Sequence, residues 1–204
     1  NLLIKTKKSE IKLKGQPYED FPTIPTVSGE HFEIEAKKIT EGIKAVYYSA
    51  SPSSIKAEIS SVFIYSKEEN LIFVSTDSFR LAEKKIKAKG IIDITGILIP
   101  FKNIPEILRV FGENSGKIKI CFNKNQISFS SESVYLTSRV IDGVFPDYTQ
   151  IIPKDFKTEA VLLKQDLLNA LKLSNIFSDK FNQLILLINV KEKIFELSSQ
   201  NNDI

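Results

Sequence analysis

Few side chains in this 204-residue sequence could carry out covalent chemistry. It has one histidine, His31, and one cysteine, Cys121, which excludes multi-histidine metal sites, cysteine-based metal clusters and internal disulfides. His31 opens a short alternating segment, and no serine or cysteine nucleophile lies near it, so we interpret it as a surface strand residue. Cys121 alternates with apolar neighbours and is interpreted as a small, half-buried strand residue.

Three carboxylates, Asp77, Asp142 and Asp147, lie at the ends of predicted strands or near turns. Carboxylates in such places bind metal ions or act as bases in some enzymes, but they more often cap turns. The eight glycines are scattered singly and form no phosphate-binding loop. The sequence therefore offers no convincing active site. A metal-dependent enzyme that uses Asp77 and Asp147 with Mg²⁺ stays open as an alternative.

The composition indicates an ordinary globular chain that is mildly basic. The formal charge is +3, and 42% of the residues are hydrophobic. The longest apolar run, around residues 184–190, is far shorter than the roughly 18 residues that a transmembrane helix needs, so we expect no membrane association. Because the sequence contains no methionine, even at position 1, we expect the chain to be a fragment or a processed product.

Helical periodicity predicts three helices, over residues 35–51, 101–111 and about 164–175. Each prediction rests on apolar residues spaced three or four apart, which leaves an opposite face for polar residues. Basic residues lie on these non-core faces: Lys37, Lys38, Lys44, Lys102, Arg109 and Lys172. Solvated helix faces often carry lysines, so one interpretation is simple solubility. The other is a shared cationic surface that contacts a polyanion through its phosphates, weakened by Glu41 and Glu106.

Most of the remaining chain predicts antiparallel hairpins with polar turns. The predicted strand pairs are 62–66 with 71–76, 117–123 with 126–130, and 183–190 with 193–199. Long helices are too rare for alternating parallel units. We therefore predict an α+β fold in which antiparallel sheets carry helices on one face.

An internal repeat with an offset of 124 residues divides the chain. Lys67-Glu68 recurs as Lys191-Glu192, and Phe21-Pro22 recurs as Phe145-Pro146. Asp77 corresponds to Asn201 in the same way. We interpret residues 1–26 as the end of one copy, 27–152 as a complete copy and 153–204 as the start of a third.

Two segments, residues 75–82 and 138–148, carry a family resemblance. They read Ser-Thr-Asp-Ser-Phe-Arg-Leu-Ala and Ser-Arg-Val-Ile-Asp-Gly-Val-Phe-Pro-Asp-Tyr. The first resembles a Thr-Asp-Gly-x-Arg-Leu-Ala segment of the bacterial sliding clamps, the β subunits of DNA polymerase III. The second resembles the strand and interdomain connector of the same family. Weaker similarity, in family order, covers essentially the whole chain.

The resemblance implies the DNA-clamp fold, with repeated domains whose sheets lie outside and whose helices line an inner face. It implies a non-catalytic processivity factor without a cofactor that encircles duplex DNA as a homodimer when full length. Its partners would be the replicative polymerase, the clamp loader and repair polymerases, in the cytoplasm at the replisome. The chain here would be the end of the first domain, the whole second domain and the start of the third. By itself we expect it to be monomeric, or to associate through non-native sheet edges, and not to encircle DNA.

The resemblance also implies a pocket for short linear peptides between the second and third domains. The residues carried over to it are Ile59, Thr76, Ser78, Phe79, Arg80, Leu81, Pro146, Gln150 and Ile151. Thr76 and Arg80 would frame the pocket with polar groups.

Three of these residues depart from the family pattern. Ser78 replaces a usual glycine, so we expect its backbone to avoid conformations that strongly favour glycine. Phe79 replaces a commonly polar residue and would enlarge the apolar rim. Gln150 replaces a residue that is often basic, which would weaken attraction to acidic peptides.

Two further alternatives remain at this point. The pocket residues could simply pack a joint between domains, which requires Ile59 and Leu81 to be fully buried. The protein could also be a sheet protein that binds nucleic acid without forming a ring.

Overall fold

The structure, a computed structural model, describes residues 1–53, 55–113, 115–180 and 182–200. The chain divides into two compact units, Asn1–Pro146 and Asp147–Ile204. The expected correspondence between Asp77 and Asn201 lies outside the described residues. In the part of the chain that is described, no helix has the length and apolar character needed to cross a bilayer.

The first unit contains two helices and most of the strands. Its helices are α1 (Ala36–Val46) and α2 (Ile104–Phe111). Its strands are β1 (Leu2–Lys5), β2 (Glu10–Leu13), β3 (Glu30–Glu35), β4 (Ser61–Lys67), β5 (Asn70–Thr76), β6 (Leu81–Lys87), β7 (Ile97–Pro100), β8 (Lys117–Phe122), β9 (Gln126–Ser130) and β10 (Tyr135–Arg139).

Two four-stranded antiparallel sheets form the body of this unit, in the orders β6-β5-β4-β7 and β10-β9-β8-β3. The chain runs strand, helix and three strands twice, so β3-α1-β4-β5-β6 is followed by β7-α2-β8-β9-β10. Each half gives its first strand to the other half's sheet, because β3 pairs with β8 and β7 pairs with β4. The two halves therefore fold as one body. Strands β1 and β2 form a separate hairpin whose residues are all exposed.

One hydrophobic core lies between the two helices and the two sheets. The apolar stripe of α1 is fully buried at Ile39, Ile43 and Val46, and α2 buries Ile104, Ile107 and Phe111. Phe73 and Phe129 from the two sheets are also almost completely buried in this core. Burial of this one continuous core is what keeps the helices against the same sheets.

Local signals explain where the helices begin and end. The backbone N–H of Ala36, the first residue of α1, donates to the carbonyl of Gly116 over 2.9 Å. Pro105 lies in the first turn of α2, where its missing N–H costs little, and Gly112 caps the other end. A 3₁₀ turn over Phe101–Asn103 leads directly into α2. Lys102, predicted on the helix itself, therefore lies in this turn.

The second unit contains α3 (Lys164–Ile176), β11 (Ile185–Asn189) and β12 (Ile194–Ser198). β11 and β12 form an antiparallel hairpin, and α3 contacts β12. No described residue of α3 is buried.

The predicted α+β fold, the three helices and the three hairpins are confirmed. The sheets are antiparallel and the helices are few. Strand β6 was not predicted, because its sequence Leu-Ala-Glu-Lys-Lys-Ile-Lys has too few apolar residues to give a strand pattern.

A close approach of α1 to β5 in the core gives the first testable prediction. A Cβ placed on Gly42 of α1 would lie 2.5 Å from Cζ of Phe73 on β5. Although alanine favours helices by about 1 kcal/mol over glycine, we expect Gly42→Ala to lower the free energy of unfolding by about 1–3 kcal/mol through overpacking. Urea denaturation followed by circular dichroism measures the change.

The control is the same substitution in a Phe73→Leu background, where the side chain that meets the new Cβ is smaller. There the cost of Gly42→Ala should shrink, as expected for residues in contact. An increase in stability on Gly42→Ala, as helix propensity alone would give, contradicts the packing.

Candidate functional site

The exposed side of α1 carries three of the basic residues singled out in the sequence. Lys37 and Lys44 are exposed and Lys38 is half-buried, while the opposite side of the helix faces the core. Lys37 and Lys44, with Glu41 between them, line a shallow surface depression that also contains Lys84 from β6 and Gly112 at the end of α2. Three lysines and one glutamate meet in this depression, which is therefore cationic.

The exposed surfaces of α1 and α2 adjoin each other. Tyr47, directly after α1, stacks on Phe101, just before α2, with ring centroids 6.3 Å apart. Nζ of Lys44 lies 3.7 Å from the place that a Cβ on Gly112 would occupy. Lys102 and Arg109, at the start and in the last turn of the α2 segment, are exposed. Lys172 is exposed on α3, in the second unit.

Glutamates on and beside these helices are paired with bases. Glu35 lies 3.9 Å from Lys38, Glu106 lies 2.7 Å from Arg109, and Glu41 lies 3.0 Å from Lys84. The hydrogen bond from Arg109 to Glu106 raises the pKa of Arg109 above its usual range. Among the described residues, Lys37, Lys44 and Lys102 form no ion pair. Glu41 and Glu106 therefore each neutralise one base of this surface, Lys84 and Arg109, and leave Lys37, Lys44 and Lys102 unpaired among the described residues.

The loop between β5 and β6 is a tightly bonded turn around Asp77. One carboxylate oxygen of Asp77 accepts hydrogen bonds from the backbone N–H groups of Phe79 and Arg80, both over 3.0 Å. The other oxygen accepts from Nε of Arg80, also over 3.0 Å. The pKa of Asp77 is lowered mainly by the hydrogen bond from the backbone N–H of Arg80. The backbone N–H of Phe79 and the side chain of Arg80 lower it further, whereas partial burial opposes the shift. Asp77 therefore serves as a turn cap.

Thr76 closes the same turn with its side chain. Its hydroxyl donates to the carbonyl of Arg80 over 2.7 Å and accepts from the backbone N–H of Ser78 over 3.1 Å. The role of Thr76 at a peptide pocket stays a prediction. Arg80 places its guanidinium 5.9 Å from the ring centroid of Tyr48, a cation–π distance.

The expectation for the backbone at Ser78 is wrong. Ser78 has a φ of 77°, in the left-handed region that favours glycine. The turn keeps this conformation with serine because the hydrogen bonds of Thr76 and Asp77 fix the residues on both sides. Such a conformation costs a residue with a side chain roughly 1–2 kcal/mol.

The first-unit residues assigned to a peptide site lie at one end of the β6-β5-β4-β7 sheet and in the connector. Ile59 precedes β4, residues 76–81 join β5 to β6, and Thr76 pairs with Leu81 across the two strands. Ile59 and Leu81 are half-buried. The side chain of Phe79 is 98% exposed.

The connector over residues 140–146 is fixed to the first unit. The backbone N–H of Ile141 donates to Leu98 of β7 over 2.9 Å. Phe145 is buried and stacks on Phe63 of β4, with centroids 4.8 Å apart and rings 8° from parallel. A Cβ on Gly143 would lie 2.9 Å from Cγ of Glu58, so the connector passes close to the loop that carries Ile59. Pro146, directly after Phe145, is exposed.

Gln150 and Ile151 belong to the second unit and are exposed there. Nε2 of Gln150 donates to Asp147 over 2.7 Å, and the hydroxyl of Thr149 donates to the same carboxylate over 2.6 Å. These two hydrogen bonds, that of Thr149 first, lower the pKa of Asp147. Asp147 caps its own short helical turn, as Asp77 caps the β5–β6 turn.

The side chains that could carry out covalent or acid–base chemistry do not form a catalytic arrangement in the described part of the chain. His31 is exposed on β3 opposite Cys121 of β8, and Sγ of Cys121 donates to the carbonyl of Val27 over 3.3 Å. Within the described ranges, no group of three or more histidine, cysteine, aspartate or glutamate side chains is arranged to hold a metal ion. The two carboxylates of the enzyme alternative, Asp77 and Asp147, both have their oxygens engaged within their own turns.

Lys84 is the residue that the sequence reasoning missed. It lies on a strand, so no helical pattern includes it, and only the packing of β6 beside α1 brings it to the basic surface. The alternation of Ala82, Lys84 and Ile86 on one side of β6 would have indicated its direction had the strand been predicted.

Comparison with known proteins identifies relatives over most of the chain. The sequence model of a family described as "DNA polymerase III beta subunit, central domain" matches residues 33–147. A beta sliding clamp from Streptococcus pneumoniae is 32% identical over 180 residues, covering 85% of this chain and 48% of the relative. A beta sliding clamp from Staphylococcus aureus is 25% identical over 203 residues, covering 99% of this chain and 54% of the relative.

Solved structures show the same fold. The DNA polymerase III beta chain of Streptococcus pneumoniae superposes with a TM-score of 0.86 at 25% identity, covering 99% of this chain and 54% of that one. The DNA polymerase III subunit beta of Pseudomonas aeruginosa gives 0.82 at 24% identity, covering 98% and 55%. The chain thus spans about half the length of the curated relatives that it matches.

The strained turn gives a prediction about stability. We expect Ser78→Gly to raise the free energy of unfolding by about 0.5–1 kcal/mol. Relief of the left-handed conformation contributes roughly 1–2 kcal/mol, and the greater freedom of unfolded glycine offsets roughly 0.4–1 kcal/mol of it. Thermal and urea unfolding measure the change. Ser78→Ala is the control and should change stability by less than about 0.5 kcal/mol, since it keeps the Cβ. A glycine variant less stable than the wild type would contradict the assigned backbone.

Proposed function

The chain belongs to the DNA polymerase III beta subunit family, and we propose that it is a segment of a sliding clamp that holds a replicative polymerase on duplex DNA. In this proposal residues 1–26 end the first domain, 27–152 form the central domain and 153–204 begin the third. The match of the central-domain family model to residues 33–147 supports the central domain of this division. The first compact unit, Asn1–Pro146, includes residues 1–26 as well and ends six residues before position 152.

The surface of α1 and α2 is proposed to contact the DNA backbone. The observation that carries this proposal is the charge arrangement: Lys37, Lys44 and Lys102 are exposed without ion pairs among the described residues, while Glu41 and Glu106 are paired. Flexible lysines attract phosphates without reading bases, because the phosphates carry no sequence information. Such contacts hold DNA weakly and at any position, which a clamp needs in order to slide.

The end of the sheet around Leu81 is proposed to bind linear peptides from partner proteins. Leu81 and Ile59 offer half-buried apolar surface, Phe79 offers an exposed ring, and the docked connector presents Pro146. The hydrogen-bonded turn at Asp77 supports the proposal, since a preorganised surface loses little entropy on binding. Gln150 and Ile151 are proposed for the same site on the basis of the family resemblance alone.

The remaining parts of the proposal follow from the family. The protein is proposed to act without catalysis or cofactor, in the cytoplasm, as a homodimer when full length. Its proposed partners are the replicative polymerase, the clamp loader and repair polymerases. The engaged carboxylates of Asp77 and Asp147 leave the metal-dependent enzyme without an observation in its favour.

The DNA surface is tested by substituting Lys102 and Arg109 in the full-length protein. We expect Lys102→Met with Arg109→Met to weaken binding to a fluorescent duplex equally for unrelated base sequences. The slope of log affinity against log salt should flatten by about 1–2, because the contact of the unpaired Lys102 is lost and Arg109, which is paired with Glu106, adds at most one more. Fluorescence anisotropy in a series of salt concentrations measures both quantities.

Lys124→Met with Lys119→Met provides the control, since Lys119 is exposed on β8 and Lys124 is exposed in the turn that follows β8. This pair should leave the slope unchanged. Equal effects of the two pairs would overturn the assignment of the helix surface, and a change in base preference would overturn non-specific binding.

The peptide surface is tested with Leu81→Ala and Pro146→Ala in the full-length protein. Each is expected to weaken binding of a polymerase-tail peptide by about 1–3 kcal/mol, as truncation of an apolar anchor contact does. Titration calorimetry measures the affinity, and circular dichroism verifies the fold. Leu136→Ala, at a half-buried leucine on β10, is the matched control and should bind as the wild type does. Unchanged affinity in both Leu81→Ala and Pro146→Ala would refute the site.

A further inference from the structure

Lys84 reaches the helix surface from a strand. On β6, Ala82 is buried in the core and Ile86 packs against it, so Lys84 between them is on the same side of the strand. α1 packs beside β6, and Nζ of Lys84 lies 3.0 Å from Oε1 of Glu41. The neighbouring Lys85 is on the other side of the strand and pairs with Glu83 over 3.1 Å.

Glu41 has other possible partners on its own helix. Lys37 precedes it by four residues and Lys44 follows it by three, and both spacings allow ion pairs on a helix. The structure pairs Glu41 with Lys84 instead, and Lys37 and Lys44 form no ion pair with any described residue. One lysine from the sheet thus neutralises the acidic group and leaves two helix lysines unpaired.

We propose that Lys84 is a positioning residue of the DNA-binding surface: by occupying Glu41 it keeps that carboxylate from repelling phosphate and from pairing with Lys37 and Lys44. This inference rests on the proposed function. The ion pair is solvent-exposed on both sides, with 37% of the Lys84 side chain and 54% of the Glu41 side chain accessible. Pairs this exposed contribute little to folding. The stability of the fold therefore does not explain why Lys84 pairs with Glu41. The positive charge that this pairing leaves available on Lys37 and Lys44 does explain it.

The experiment compares Lys84→Met with Lys85→Met in the full-length protein. The two lysines are adjacent on one strand, each is paired with a glutamate, and each substitution removes the same charge. Lys84→Met is expected to weaken duplex binding several-fold and to flatten the salt slope by more than 1, because it unmasks Glu41 beside Lys37 and Lys44. Lys85→Met is expected to leave the slope unchanged. Thermal unfolding should be similar for both variants.

Substitution of Glu41 separates charge masking from direct contact. If Lys84 acts by masking, Glu41→Gln combined with Lys84→Met recovers most of the lost affinity, and Glu41→Gln alone binds more tightly than the wild type. A direct contact between Lys84 and phosphate predicts that the double variant stays as weak as Lys84→Met. A merely structural pair predicts, in addition, that Glu41→Gln alone weakens binding.

The outcomes distinguish this inference from the function on which it rests. If Lys102→Met weakens binding while Lys84→Met behaves like Lys85→Met, the inference is overturned and the DNA surface stands. If Lys84→Met weakens binding but Glu41→Gln gives no recovery, masking is overturned. If none of the substitutions on α1, α2 or β6 changes binding, the proposed DNA surface fails and the inference fails with it.

Discussion

The exchange of first strands between the two halves of the first unit is the constraint on which its surfaces depend. β3 completes the sheet of the second half and β7 completes the sheet of the first, so neither half can form its four-stranded sheet alone. Since α1 follows β3 and α2 follows β7, the exchange also brings the two helices together over one core. The adjoining exposed surfaces of α1 and α2, and thus the cationic surface, are consequences of this pairing.

The ion pairs on that cationic surface affect its charge more than they affect the stability of the fold. Exposed ion pairs contribute little to folding, so the pairs at Glu41 and Glu106 are not what holds the unit together. They determine instead which charges remain available to a ligand. Where an exposed acid is already paired, approaching phosphates meet mainly lysine, and a weak attraction of this kind suits the proposed sliding on DNA.

The sequence predicted the elements whose patterns are local and missed those that depend on packing. The stripe from Ile39 to Val46 and the alternation around Ile120 are periodic, so α1 and β8 could be predicted. β6 was not predicted because charged residues occupy four of its seven positions, and Lys84 was missed with it. The backbone at Ser78 was predicted wrongly, because the preference of the residue type is local while the hydrogen bonds that override it come from Thr76 and Asp77. The assignments of individual residues to DNA or to peptide remain predictions.

The two candidate surfaces meet in strand β6. Alternation along the strand puts Leu81, Glu83 and Lys85 on one side and Ala82, Lys84 and Ile86 on the other. Leu81 begins the strand beside the turn of Asp77, and Lys84 contacts Glu41 of α1 three residues later. Because the strand has a side-chain period of two, a shift of its pairing with β5 by one residue would move Lys84 away from Glu41 and turn Leu81 toward the helices. The register of β5 with β6, in which Asn70 pairs with Lys87 and Thr76 pairs with Leu81, therefore determines the positions of Leu81 and Lys84 together. The strained turn at Ser78 connects the two strands at the end where this register begins.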